Sequence, residues 1–121
     1  MPEETAQSGL SDNAAGAIAY ITFIPAIVFL VLPPYNASSY VRFHAWQSIL
    51  MTVAAVVIDI VLAIVLGIAL VFLPFFLHTL LWSLIELAWL AIWVVCVVQA
   101  LNGKRFKLPI IGDLAAKQAG N

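Results

Sequence analysis

The sequence predicts an all-α integral membrane protein, with three transmembrane helices and a short amphipathic C-terminal segment. Three observations carry that prediction. Of 121 residues, 64% are hydrophobic and 9% charged, against roughly 45–50% and about 25% in soluble domains. Mean hydropathy is +1.10. Between Asn13 and Asn102 the charged side chains are Arg42, Asp59 and Glu86 alone. A stretch so poor in charge, built from Ile, Val, Leu, Phe and Ala, reads as membrane-spanning helix. Nothing alternates apolar and polar residues over about ten positions, as a membrane β-barrel requires. A formal net charge of −1 offers no broad basic face, so nucleic acid is not an expected partner.

Residues 1–13 form an acidic tail, and the first span runs over 14–32. Ser11, Asp12 and Asn13 are good helix caps at its start, and Pro33-Pro34 ends it. Pro25 deprives the Ile21 carbonyl of its donor, which predicts a kink. A cleaved signal peptide is disfavoured, because the flank is acidic and no convincing cleavage site follows. An inner loop over 33–41 comes next. The apolar run from Val41 to Leu101 is too long for one span and leaves no turns for three. Two helices fit, 42–66 and 78–101. The apolar connector 67–77 between them is punctuated by Gly67 and Pro74. Residues 102–121 form a basic interfacial tail, in which Asp113 caps a last short helix and pairs with Lys117.

Three spans place Arg42, Lys104, Arg105, Lys107 and Lys117, all the basic residues, on one side. The positive-inside rule then gives a cytoplasmic C-terminus and an outside N-terminus in the cell's inner membrane. A fourth span strands Arg42 outside. The sequon-like Asn36-Ala37-Ser38 falls on the cytoplasmic side and carries no weight.

Inside the spans the polar residues recur at helical spacing. His44, Ser48, Thr52, Ala55 and Asp59 share one face, with Gln47 at its border. Thr79, Ser83 and Glu86 share a face of the third helix, beside a stripe of Trp82, Glu86, Trp89 and Trp93. Trp89 and Trp93 lie too deep for the interfacial belt, so they pack in the bundle or against another subunit. Counted inward from His44 and Leu101, Asp59 and Glu86 lie at equal depth, roughly 22 Å at ~1.5 Å per residue. Two ionised carboxylates are costly there, so at least one is expected to be protonated. The intramembrane candidates Asp59, Glu86, Ser48, Thr52 and Ser83 therefore allow two readings. One is interhelical packing with hydrogen bonds, and the other is a wet path for a proton or cation.

Arg42, Phe43, His44, Trp46 and Gln47 mix cation, ring and amide where the second helix enters the membrane, a composition that suits headgroup anchoring. Lys104, Arg105 and Lys107, followed by Leu108-Pro109-Ile110-Ile111, suit a segment lying along an anionic lipid surface. Cys96 is the sole cysteine, so no intramolecular disulfide forms. His44 and His78 fall at opposite membrane sides, which precludes a two-histidine metal site within one chain. No glycine-rich phosphate loop, nucleophile elbow or HExxH is present. No enzymatic activity, cofactor or metal is expected. Three small spans make a thin core, so self-association or another membrane protein is expected as partner. Ala15 and Ala19 offer a small-residue approach face.

Three segments also resemble a known family: Asn13-Ala14-Ala15-Gly16, Val41 through Ser48, and Asn102-Gly103-Lys104 with Lys107 through Gly112-Asp113. They are similar to small prokaryotic proteins grouped with the twenty-kilodalton subunit of the chloroplast inner-envelope import translocon, the Tic-twenty-like proteins. The resemblance spans nearly the whole chain beyond residue 12. It implies a link to protein import, and it marks Arg42, His44, Gln47, Gly112 and Asp113 as candidates. The plastid relatives have four spans, whereas this chain reads as three.

Overall fold

Helix α1 (Asp12–Ile18) starts where the sequence places a cap, with the Ser11 hydroxyl accepting the Ala14 N–H at 3.2 Å. The structure, a computed structural model, describes residues 10–120. The single helix expected over 14–32 does not form. After α1 the chain turns through residues 19–22, and α2 (Phe23–Val31) starts afresh with the Thr22 hydroxyl accepting the Ile24 N–H at 3.2 Å. Pro25 is the reason. In a continuous helix its ring would meet the Ile21 carbonyl and leave it without a donor. In the first turn of a new helix its missing N–H has no intrahelical partner to lose. The chain breaks where a kink was expected.

The break also reverses the chain. The Leu10 N–H donates to the Tyr35 hydroxyl at 3.0 Å, and the Ser38 hydroxyl donates to the Asp12 carboxylate at 2.8 Å. Both ends of this segment therefore lie together, while Phe23, near its tip, borders Ile49, Val53 and Val57. α1 and α2 form a hairpin that climbs beside the next helix and returns to its own end. Its arms measure about 10 and 14 Å at ~1.5 Å per residue, well short of a hydrocarbon core of about 30 Å.

A 3-10 turn, Tyr35–Ala37, leads into α3 (Ser39–Ala69), capped by the Ser38 hydroxyl. α4 (Phe75–Leu101) follows. Both helices exceed the expected 42–66 and 78–101. Gly67 lies within α3, and Pro74 directly precedes α4. His78 Nε2 donates to the Leu70 carbonyl at 2.7 Å and closes the short connector. These two helices are long and apolar enough to cross a membrane, at roughly 46 and 40 Å.

α1 packs against both long helices at their charged end. Ala15 and Ala19 are buried with Ala26, Phe29, Val41 and Ala45, so this small-residue face is used within the chain and is not free for association. Ala17 and Tyr20 meet Met51, Cys96 and Ala100 on the other side. Further along, α3 and α4 turn Val57, Ile60, Ile64, Leu84 and Leu87 outward, faces that suit a bilayer and not water.

The tail folds back onto α3. α5 (Ile111–Ala119) packs on α3, where Phe43 is fully buried against Ala115, Ala116 and Ala119. Asp113 sits in its first turn but is not the cap. Ile110 takes that position with a left-handed φ of 64°, and the Ile111 N–H closes a tight turn on the Pro109 carbonyl at 2.6 Å. The Asp113 carboxylate pairs with Lys107 Nζ at 3.6 Å, not with Lys117, Arg42 or Lys104.

Candidate functional site

The first turns of α3 aim His44 and Gln47 at α1 and the returning tail, and both are buried, 1% and 0% exposed. His44 Nε2 lies 3.0 Å from the Lys104 carbonyl. A carbonyl only accepts, so Nε2 carries the proton and Nδ1 is left as acceptor for the Tyr20 hydroxyl at 2.7 Å. The Tyr20 oxygen accepts in turn from Gln47 Nε2 at 2.7 Å. The same amide nitrogen donates to the Phe106 carbonyl at 2.8 Å, and Gln47 Oε1 accepts the Leu108 N–H at 3.0 Å. Every link thus has a defined direction.

The targets of this network are the backbone groups of residues 104, 106 and 108, a stretch with neither helix nor strand. Two α3 side chains supply the hydrogen bonds that a neighbouring strand would otherwise give. Buried polar groups are costly unless paired, so the network holds as a unit. The Tyr40 hydroxyl adds a bond to the Ala100 carbonyl at 2.6 Å. Gly16 makes room for the rings, since a Cβ there would stand 3.0 Å from Tyr40 and 3.1 Å from His44. The Tyr20 carbonyl, freed by the helix break, accepts the Trp93 indole N–H.

Arg42 holds the end of the tail. Nε and Nη2 donate to the Ala119 carbonyl at 3.1 and 2.8 Å, and Nη1 donates to the Asn36 carbonyl at 3.0 Å. A cation at the C-terminus of α5 also complements the helix dipole. Arg105 donates to the Ser39 hydroxyl at 2.8 Å and lies over the Tyr40 ring.

The expected headgroup belt is therefore divided. Arg42, His44 and Gln47 are engaged within the fold, because the tail returns to the side chains that were expected to face lipid. Trp46 is half-buried beside Phe43 and α5. Lys104, Arg105 and Lys107 are exposed. Gly112 is required for close approach, since a Cβ there would stand 2.4 Å from Lys107 Cβ. Sequence reasoning missed Tyr20, Tyr40 and the ring-facing role of Gly16. The signal for Tyr20 was a phenol in an apolar run whose one other hydroxyl is Thr22.

The intramembrane candidates form a second, smaller site. Asp59 Oδ1 accepts the Trp89 indole N–H at 3.0 Å, and the Glu86 carboxyl reaches Asp59. Beside them a cavity of about 240 Å³ is bounded by Thr52, Ala55, Asp59, Trp89 and Trp93. Glu86 itself is exposed. The hydroxyls do not bridge helices. Thr52 donates to the Ser48 carbonyl at 2.9 Å and Ser83 to the Thr79 carbonyl at 2.8 Å, each within its own helix, while Ser48 is buried. Among the described residues no three His, Cys, Asp or Glu side chains converge.

Residues 10–115 match the model of the magnetosome magnetite crystal formation protein family. The chain is 38% identical over 108 residues to a UPF0132 membrane protein of Methanocaldococcus jannaschii, covering 88% of this chain and 87% of that one. It is 32% identical over 112 residues to a UPF0132 membrane protein of Archaeoglobus fulgidus, covering 92% and 98%. No solved structure matches. These matches overturn the Tic-twenty-like resemblance and the import role it implied, because the family model spans all the segments that carried it. Those segments build the tail-docking network, so they report how this fold closes. With two membrane-length helices and membrane-protein relatives, this small helical membrane protein belongs to the magnetosome magnetite crystal formation protein family.

Proposed function

We propose that the chain is a non-enzymatic structural or interaction subunit of a membrane assembly. It would sit in the cell's inner membrane as two spans and a re-entrant hairpin, with residue 10 and the tail both on the cytoplasmic side. An outside N-terminus depended on residues 14–32 crossing, and the hairpin supports a return to the starting side instead. The positive-inside rule supports a cytoplasmic location for that side, since it carries all five basic residues.

One observation carries the subunit role. Glu86 is exposed on an apolar, membrane-length helix, beside Asp59. Ionisable side chains at such depth face protein or a water-filled cavity, seldom lipid, so a neighbouring helix is the natural cover. A part in magnetite crystal formation, which the family's description names, would then be exerted through that assembly.

The test is in-membrane cross-linking from the Glu86 face. In a Cys96→Ala background, Ser83→Cys should give a disulfide-linked dimer or a defined adduct with another membrane protein. A chain that stays monomeric at this position, and at Leu87→Cys, would overturn the subunit role. A second reading, an ion- or proton-conducting oligomer, is favoured by the cavity beside the Asp59–Glu86 pair. A liposome flux abolished by Asp59→Asn would select it.

A further inference from the structure

A groove of about 320 Å³ lies on α4, walled by Ala91, Ile92, Val95, Phe106, Leu108 and Pro109. Its six lining residues are all apolar. The volume is at the small end of ligand sites, which span roughly 300–1,000 Å³. The α4 residues lie about 9–15 Å below the helix end at Leu101, at ~1.5 Å per residue. Its roof is the segment that carries Lys104, Arg105 and Lys107. Those three side chains are exposed, and Lys107 immediately separates two lining residues, Phe106 and Leu108.

The backbone of this segment is immobilised from beneath. Its carbonyls at 104 and 106 and its N–H at 108 are held by His44 and Gln47, so the basic rim is set before any ligand arrives. Arg105 is turned to Ser39 and Tyr40. The Lys107 pair with Asp113 is exposed on both sides, 50% and 76%, and an exposed pair of this kind is weak enough for a phosphate to displace.

We infer that this groove binds one anionic phospholipid, with an acyl chain along α4 and the headgroup phosphate against Lys104 and Lys107. The apolar walls select a lipid chain, and the exposed lysines of the segment that closes the groove select negative charge. The inference rests on the membrane setting and is independent of the proposed subunit role.

The full chain in vesicles containing spin-labelled phosphatidylglycerol or phosphatidylcholine reads this directly. A motionally restricted lipid component should favour phosphatidylglycerol, by about fivefold for each lysine engaged. Lys104→Gln should reduce that preference, and Lys104→Gln with Lys107→Gln should abolish it. Val95→Trp, on a half-exposed position that tolerates bulk, should shrink the restricted component for both lipids by filling the groove. Millimolar inorganic phosphate should displace neither lipid. Equal restriction of the two lipids, a preference that survives the double substitution, a component unaffected by Val95→Trp, or displacement by phosphate would each overturn the inference.

Discussion

Tyr20 donates its hydroxyl proton to His44 Nδ1 across 2.7 Å, joining residues 24 apart in the chain. The contact ties the α1–α2 hairpin to α3, and the other nitrogen of the same imidazole holds the Lys104 carbonyl. One ring thus connects three segments that meet at the charged end. The Tyr20 side chain can stand there because the helix broke just beyond Ile18.

Gln47→Leu should free the tail without preventing membrane insertion. It removes the partners of the Phe106 carbonyl and the Leu108 N–H, the first half-buried and the second buried. The expected cost is about 1–3 kcal/mol. Amide exchange at Leu108 should accelerate by roughly 5- to 150-fold, while amides in the middle of α3 keep their protection.

Two glycines should respond in opposite ways to alanine. At Gly112 the new Cβ would stand 2.4 Å from Lys107 Cβ and 2.6 Å from its Cα, so α5 must shift, at a cost of about 1–3 kcal/mol. At Gly67, inside α3, nothing lies within 4 Å of the new methyl, and alanine should stabilise the helix by roughly 0.5–1 kcal/mol. Thermal unfolding in detergent, followed by near-UV dichroism, distinguishes the two signs.

Arg42→Ala should release α5 more than Arg42→Lys does, and both should exceed the effect of Lys117→Ala. The guanidinium spans the Ala119 and Asn36 carbonyls at once, a geometry that an ammonium cannot reproduce. Limited proteolysis should cut between Gly103 and Ala119 first in Arg42→Ala, with membrane association of the remaining chain unchanged.

Single cysteines in a Cys96→Ala background test the hairpin. Ser11→Cys and Asn102→Cys should react with a membrane-impermeant maleimide from one side, and Phe72→Cys from the other. Labelling of Ser11→Cys together with Phe72→Cys would mean that the first segment crosses the membrane.

Much of the helical framework was legible in one dimension. The cap at Ser11, the apolar runs of α3 and α4, and the disruption at Pro25 all depend on neighbours within a turn or two of the chain. The Asp59–Glu86 meeting was also legible, because equal counts from the two inner ends convert to equal height along antiparallel rods. Over 14–32 the apolar length reads as one helix, and the structure has two. That length was divided by Pro25 and Thr22 into two arms, and the direction of the second arm is not written in any local pattern.

By itself, then, the sequence determined the solvent this protein needs and the course of its two long apolar helices to within a few residues, since hydropathy is a local property. The tertiary structure alone decided that the first segment turns back, that Ala15 and Ala19 pack at home, and that Arg42, His44 and Gln47 grip the tail instead of lipid. The alanine packing depends on which apolar faces meet, and the gripped tail on which donor meets which acceptor across 20 to 80 residues of chain. Linear spacing carries a side chain's direction within one helix, and it loses that direction at every turn between helices.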